Sequence, residues 1–239
     1  MEVVYEDNHI IIVNKRSGEI VQGDKTGDTP LSEIVKAYIK EKYGKPGAVF
    51  LGVVHRLDRP VWGLVVFAKT SKALSRLNTM FANGDIHKTY WAITKNRPAK
   101  DEDVLINWMV RNEKLNKSFI YSKSVPEHIP DDQQSFKDNK GNVVKLAKLH
   151  YQLIGSSNNY HLLEIELMTG RNHQIRCQLA AIGCPIKGDL KYGASRSNPD
   201  GSISLFAHKV EFVHPVSKTF ISVEAPLPDD NLFRLLAPE

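Results

Sequence analysis

The segment VVHRLDRPVWGLVVFAKT, Val53 to Thr70, decides how the rest of the chain is read. Two apolar runs, Val49 to Val54 and Gly63 to Ala68, read as strands because they are short, rich in β-branched residues and bounded by turn formers. Between them sits a knot of His55, Arg56, Asp58, Arg59 and Pro60, which must lie on a loop. Thr70 then caps a helix carrying Leu74, Leu77 and Phe81, closed by Asn83-Gly84. An Asp in a loop after a strand is most often a turn or capping residue. Asp58 differs in having Arg56 and Arg59 as sequence neighbours in an otherwise apolar stretch. A carboxylate beside guanidinium groups is favoured in its ionised form, which suits a nucleophile or general base and not a general acid.

Outward from this segment, strands dominate. Val3 to Tyr5 and His9 to Val13 flank a turn at Asp7-Asn8, and Thr29-Pro30 reads as an N-cap followed by a first-turn proline. The stripe Leu31, Ile34, Val35, Tyr38 and Ile39 predicts a helix that stops at Gly44. Strands are expected at Lys88 to Ile93, Val104 to Val110, Ser118 to Ser122, Val143 to Ile154, Tyr160 to Met168, Ile203 to Phe212 and Phe220 to Val223. Thr169-Gly170 leads into a helix with Ile175, Leu179 and Ile182 on one face, ended by Gly183, and Asp229 to Leu236 reads as a short terminal helix. Pro126 to Asn142 is polar and reads as a long exposed loop of the kind that often serves binding. Several strands follow one another without an intervening helix. This pattern predicts an α+β fold, a mixed and largely antiparallel sheet with flanking helices, and not a doubly wound one. No linker divides the chain, so a single domain over residues 1–239 is expected. Neither a Gly-rich phosphate loop nor a dinucleotide fingerprint is present.

Composition bounds the function. The 239 residues are 41% hydrophobic and 25% charged, ordinary for a soluble globular protein. No apolar run is long enough to span a bilayer, and the first residues lack the pattern of a signal peptide, so a cytoplasmic protein without membrane partners is expected. The two cysteines, Cys177 and Cys184, match no zinc spacing and read as reduced, semi-buried thiols. Net charge is +5, and the excess is clustered: from Lys45 to Arg97 the only acids are Asp58 and Asp85, and from Arg171 to Arg196 the only acid is Asp189. Such clusters suit a polyanionic partner, because each phosphate neutralised releases counterions.

Two further stretches can carry chemistry. In Lys88-Thr89-Tyr90-Trp91-Ala92-Ile93 strand alternation puts Lys88, Tyr90 and Ala92 on one face, where Tyr90 is either a platform for stacking a base or a core tyrosine. In Met168-Thr169-Gly170-Arg171-Asn172-His173-Gln174-Ile175-Arg176, His173 and Arg176 share a face near a helix start, which attracts anions; a phosphate or the Asp58 carboxylate could sit there. One histidine without a second suitably spaced ligand does not make a metal site.

Taken in order, HRLDRPVWGLVVFAKT, KTYWAI, LMTGRNHQIR and LFAHKVEFVHP resemble the successive motifs of the RluA-type pseudouridine synthases, and the resemblance runs from VVYEDNHIIIVNKRSGEIVQ to about Pro215. It implies an isomerase that needs neither cofactor nor metal and acts on structured RNA, ribosomal or transfer; a monomer is expected. By position, Asp58 matches the family's reacting aspartate and Tyr90 the tyrosine that stacks on the target uracil. Arg176 matches the arginine that pairs with the aspartate, and Arg56 the arginine that fills the gap left by a flipped base. Arg59, His55, Lys88, Arg171, His173 and Gln174 fall in or beside the motifs and are expected to support the site or contact RNA. The chain departs from the family at Val61-Trp62, where a Thr-Ser pair is usual, and at Lys15-Arg16, where Lys-Pro is usual. It also starts directly in the catalytic region, so no separate N-terminal RNA-binding domain is expected. The alternatives are an inactive RNA-binding module of the same fold, which Val61-Trp62 would favour, and a glycosidic hydrolase, which would want a second carboxylate.

Overall fold

The computed structural model describes residues 1–123, 125–126 and 134–238. Among them twelve strands join in one sheet. They are β1 (Glu2–Glu6), β2 (Ile10–Lys15), β3 (Gly52–Val53), β4 (Trp62–Ala68), β5 (His87–Thr94), β6 (Glu102–Asn112), β7 (Lys117–Ile120), β8 (Ser135–Lys137), β9 (Val143–Ser156), β10 (His161–Leu167), β11 (Leu205–Val213) and β12 (Phe220–Glu224). Along the sheet the order is β1-β2-β4-β11-β5-β10-β9-β6-β7, with β3 added to β4, β8 to β9 and β12 to β11. Every pairing is antiparallel except β4 with β11. The fold is α+β, as the run of strands predicts. No helix among the described residues is long and apolar enough to cross a membrane.

Strand alternation divides the core between the two faces of the sheet. Ile11, Val13, Val65, Phe67, Tyr90, Ala92, Leu205 and Ala207 point to one face, covered by α1 (Leu31–Lys42) and α3 (Gln174–Ala181). Ile10, Ile12, Leu64, Val66, Trp91, Ile93 and Phe206 point to the other, covered by α2 (Ser71–Asn83) and α4 (Asn231–Leu236). Thr70 caps α2 by accepting the Ala73 N–H, and Gly84 ends it at φ 82°, where a Cβ would be strained.

Several local readings change. Helix α1 has Pro30 itself at the N-cap, with no side-chain cap, because Pro30 is extended at ψ 153° and helical residues begin only at Leu31. Ile182 falls just past α3 and is exposed. The expected loop from Pro126 to Asn142 contains β8, which pairs with Val143, Val144 and Lys145; its residues 127–133 lie outside the described residues.

The strand expected at Val49 to Val54 shrinks to Gly52–Val53, and the reason bears on the site. Beyond Val53 the next N–H of β4, that of Val66, donates instead to the His55 imidazole Nε2 at 2.9 Å. Farther along the same edge β4 takes β11 as its neighbour, with Trp62 opposite Phe206 and Gly63 opposite Ala207. The loop carrying Asp58 therefore emerges where β4 exchanges one neighbour for the other, in the middle of the sheet and not at its rim.

Candidate active site

Asp58 opens a turn in which the Val61 N–H donates to its carbonyl, at 3.0 Å. The turn is held from below by Lys15, whose side chain is fully buried at 0% exposure. The three ammonium hydrogens meet three carbonyl oxygens, Arg16 O at 3.0 Å, Arg59 O at 3.0 Å and Val61 O at 2.7 Å. Among the described residues no carboxylate is bonded to it, and burial, opposed by the more distant Glu19 and Asp58 charges, pushes the Lys15 pKa down to about 8. Val61 packs in the core beside α1 and α3, and Trp62 in the core of the opposite face. Of the two unusual residues, Val61 also lines the cavity beside Asp58.

Above the turn the Asp58 side chain is 27% exposed and faces the start of α3. Arg176 Nη1 donates to Asp58 Oδ2 at 2.9 Å. The other edge of the same guanidinium is gripped by Asp189, with Nε to Oδ2 at 2.7 Å and Nη2 to Oδ1 at 2.9 Å. Asp189 is 1% exposed and the Arg176 side chain 6%. Burial works against the Arg176 charge, but the hydrogen bonds to Asp189 and Asp58 outweigh it and raise its pKa. A guanidinium gripped on two sides cannot swing, so its third donor position fixes Asp58. His173 Nε2 lies 3.5 Å from the same Asp58 oxygen.

These groups line a cavity of about 80 Å³ together with Arg56, Tyr90, Ile175 and Leu205. Tyr90 is 7% exposed, within the core face of β5, so of the two sequence readings it is the buried tyrosine, but one that also lines the cavity. Burial, with the Asp58 charge adding to it, raises the Tyr90 pKa, which keeps the phenol neutral. Arg56 is exposed at the mouth and has no partner among the described residues.

Of the remaining motif residues, Arg171 and Gln174 also line the cavity. Arg59 turns away from Asp58 and pairs with Asp28 at 2.7 Å and with Asp24 at 3.7 Å. The carboxylate is held not by its sequence neighbour Arg59 but by Arg176, 118 positions away. His55 stacks on Phe81 at 4.8 Å, and burial, reinforced by the Lys88 charge, lowers its pKa to about 3. Lys88 is half-buried with its ammonium 5.5 Å from the Phe81 ring, and burial lowers its pKa. Gln174 accepts from Thr169 Oγ1 and the Arg171 N–H and donates to Lys148 O, tying down the turn before α3. Arg171 lines the cavity but gives Nε to Leu146 O and Nη2 to Gln134 Oε1. Sequence reading missed Asp189, although its position as the only acid in a basic stretch was the available signal. It also missed Tyr192, whose ring lies 5.1 Å from the Arg176 guanidinium, and nothing local marked it. Among the described residues no group of three or more His, Cys, Asp or Glu is placed to hold a metal ion.

The sequence profile described as RNA pseudouridylate synthase matches residues 9–181. The ribosomal large subunit pseudouridine synthase C of Rickettsia bellii is 34% identical over 229 residues, covering 95% of this chain and 68% of that protein. The ribosomal large subunit pseudouridine synthase D of Zymomonas mobilis is 29% identical over 248 residues, covering 99% and 73%. Human RNA pseudouridylate synthase domain containing 4 shares the fold with a TM-score of 0.73 at 22% identity, covering 95% of this chain and 89% of its own. With the motifs of the first subsection now gathered around one cavity, the chain belongs to the RluA-type RNA pseudouridylate synthases, isomerases that convert uridine in RNA to pseudouridine.

Proposed function

We propose that the chain acts in the cytoplasm, as a monomer and without cofactor or metal, on specific uridines of structured RNA, ribosomal or transfer, with Asp58 as the reacting carboxylate. The observation that carries this reading is the Asp58 carboxylate at the cavity edge, held on one oxygen by an Arg176 that Asp189 immobilises. Isomerisation moves the sugar bond from N1 to C5 of uracil. The N1–C1′ bond breaks, the base turns, a C5–C1′ bond forms, the C5 proton passes to water, and N1 takes up a proton from water, so that product and substrate are isomers. Asp58 acts on the sugar. Tyr90 walls the cavity so that the freed base is retained, and the apolar lining from Ile175 and Leu205 limits water and hence hydrolysis. The target nucleotide must first leave its stack, at a cost of about a few kcal/mol. In this reading Arg56, which is exposed and unpartnered among the described residues, enters the vacancy and offsets part of that cost. The names of the bacterial relatives support ribosomal RNA as the first substrate to try.

The test maps carbodiimide adducts by primer stops across total RNA from cells lacking the gene, complemented with wild type or with Asp58→Asn. Wild type restores particular stops and Asp58→Asn does not; stops restored by both would refute Asp58 as the reacting group. Absence of restored stops with wild type would favour an inactive RNA-binding module, and release of free uracil would favour a hydrolase.

A further inference from the structure

His173 precedes α3 with φ 52°, in the left-handed region that residues with a Cβ seldom adopt. That conformation sets its ring between two partners. Nδ1 lies 3.0 Å from the Tyr192 hydroxyl, and Nε2 lies 3.5 Å from Asp58 Oδ2. The Tyr192 oxygen is already the acceptor of the Ser118 N–H, at 2.8 Å. A phenol has a single hydrogen, and among the described residues Nδ1 is the only acceptor within its reach. The hydroxyl therefore donates to Nδ1, Nδ1 carries no proton, and a neutral ring keeps its proton on Nε2, facing Asp58. The opposite tautomer would strand a hydroxyl hydrogen in a buried site and aim a nitrogen lone pair at a carboxylate.

The groups around the ring fix its charge as well. Burial lowers the His173 pKa to about 4; the Asp58 and Asp189 carboxylates oppose this, and Arg176 and Lys191 reinforce it. A neutral imidazole can orient Asp58 without handing it a proton. Arg176 Nη1 and His173 Nε2 both converge on Oδ2, so Oδ1 is the oxygen left to meet the substrate. At 3.5 Å the His173 contact is longer than a good hydrogen bond, so it directs the carboxylate through its N–H dipole.

We propose that Ser118, Tyr192 and His173 form a relay that locks a neutral N–H donor onto Asp58, with Tyr192 a positioning residue that acts through His173. This rests on the reading of Asp58 as the reacting carboxylate. Two measurements test it. The first is the tautomer of His173 by long-range proton–nitrogen NMR on protein labelled with ¹⁵N-histidine, its signals identified by their loss in His173→Gln. Wild type shows Nε2–H with bare Nδ1 across about pH 6 to 9, and Tyr192→Phe shows a mixture. The second is release of tritium from RNA labelled at uracil C5, taken from cells lacking the gene. Tyr192→Phe lowers kcat about tenfold with KM unchanged, the loss expected when a hydrogen bond to a charged group's partner is withdrawn. His173→Gln, whose amide N–H reaches the place of Nε2, retains more kcat than His173→Leu, and both carry the same backbone strain. An Nδ1–H tautomer in the wild type overturns the relay. So does equal kcat for His173→Gln and His173→Leu, or wild-type kcat in a folded Tyr192→Phe. Should Tyr192→Phe fail to fold, the wild-type tautomer and the His173 pair still decide. If wild type itself releases no tritium, the reading of Asp58 fails, and the tautomer alone judges the relay.

Discussion

Lys15→Met removes the ammonium beneath the Asp58 turn while keeping the side chain's length. Three carbonyls lose a donor, but Arg59 O keeps the Gly18 N–H at 2.9 Å. Two acceptors, Arg16 O and Val61 O, are then left without partners among the described residues. Arg16 is exposed, so its carbonyl can turn to water; the buried Val61 O is stranded, and at about 1 to 3 kcal/mol for such a group the variant loses about 1 to 3 kcal/mol at neutral pH. A pH series isolates the lysine itself. Its pKa is about 8 in the folded chain against an ordinary 10.5, so between those values the unfolded chain binds more protons than the folded one. Folded stability from this group therefore rises with pH through that window and is lost as pH falls back through about 8. The full span corresponds to about 3 kcal/mol, from a difference of 2.5 units at 1.36 kcal/mol each. Urea unfolding followed by tryptophan fluorescence, for both proteins from neutral to alkaline pH, measures it. The wild-type advantage over Lys15→Met should widen with alkalinity. A loss below about 1 kcal/mol at neutral pH would refute the ammonium clamp, and an advantage that stays flat would refute the lowered pKa.

Asp189→Asn keeps the shape around Arg176 but removes the buried counter-charge, so kcat should fall by about tenfold or more while RNA affinity changes little; tritium release and filter binding separate the two. Gly63→Ala should cost several kcal/mol, about 3 or more, because Gly63 has φ 113° and a Cβ would strike the Ala207 carbonyl, breaking the parallel pairing of β4 with β11; thermal unfolding checks this. His55 holds the Val66 N–H as a neutral ring with its pKa lowered to about 3, so stability is present above the ordinary histidine value of 6.5 and lost as pH falls toward 3. Acid unfolding of wild type should therefore be steeper than that of His55→Gln, and equal slopes would contradict the neutral-ring contact.

The candidate site was legible chiefly through the resemblance of its four motifs to the pseudouridine synthases; local reading alone favoured a turn residue for Asp58 and a core position for Tyr90. Asp58, Tyr90 and Arg176 stand in stretches whose periodicity places them on a loop, on the inner face of a strand and in a helix. The succession of strands foretold an α+β fold, whereas Lys88, expected to share a face with Tyr90, reaches Phe81 of α2. What misled was sequence proximity. Arg59, next to Asp58 in the chain, points to Asp24 and Asp28, because neighbouring residues in a turn diverge. The carboxylate is held by Arg176 and His173, which only the docking of α3 against the sheet brings near.

The sequence by itself determined the element types and the two-faced patterning of the strands, since propensity and periodicity are local properties. The tertiary structure decided which charges meet. Asp189 clamps Arg176, Tyr192 sets His173, and Lys15 gathers the carbonyls of a turn more than forty residues away. Such partners are chosen by the crossing of β4, β5, β11 and α3 in space, and burial makes them matter, because a charge or hydroxyl removed from water must find its partner within the fold.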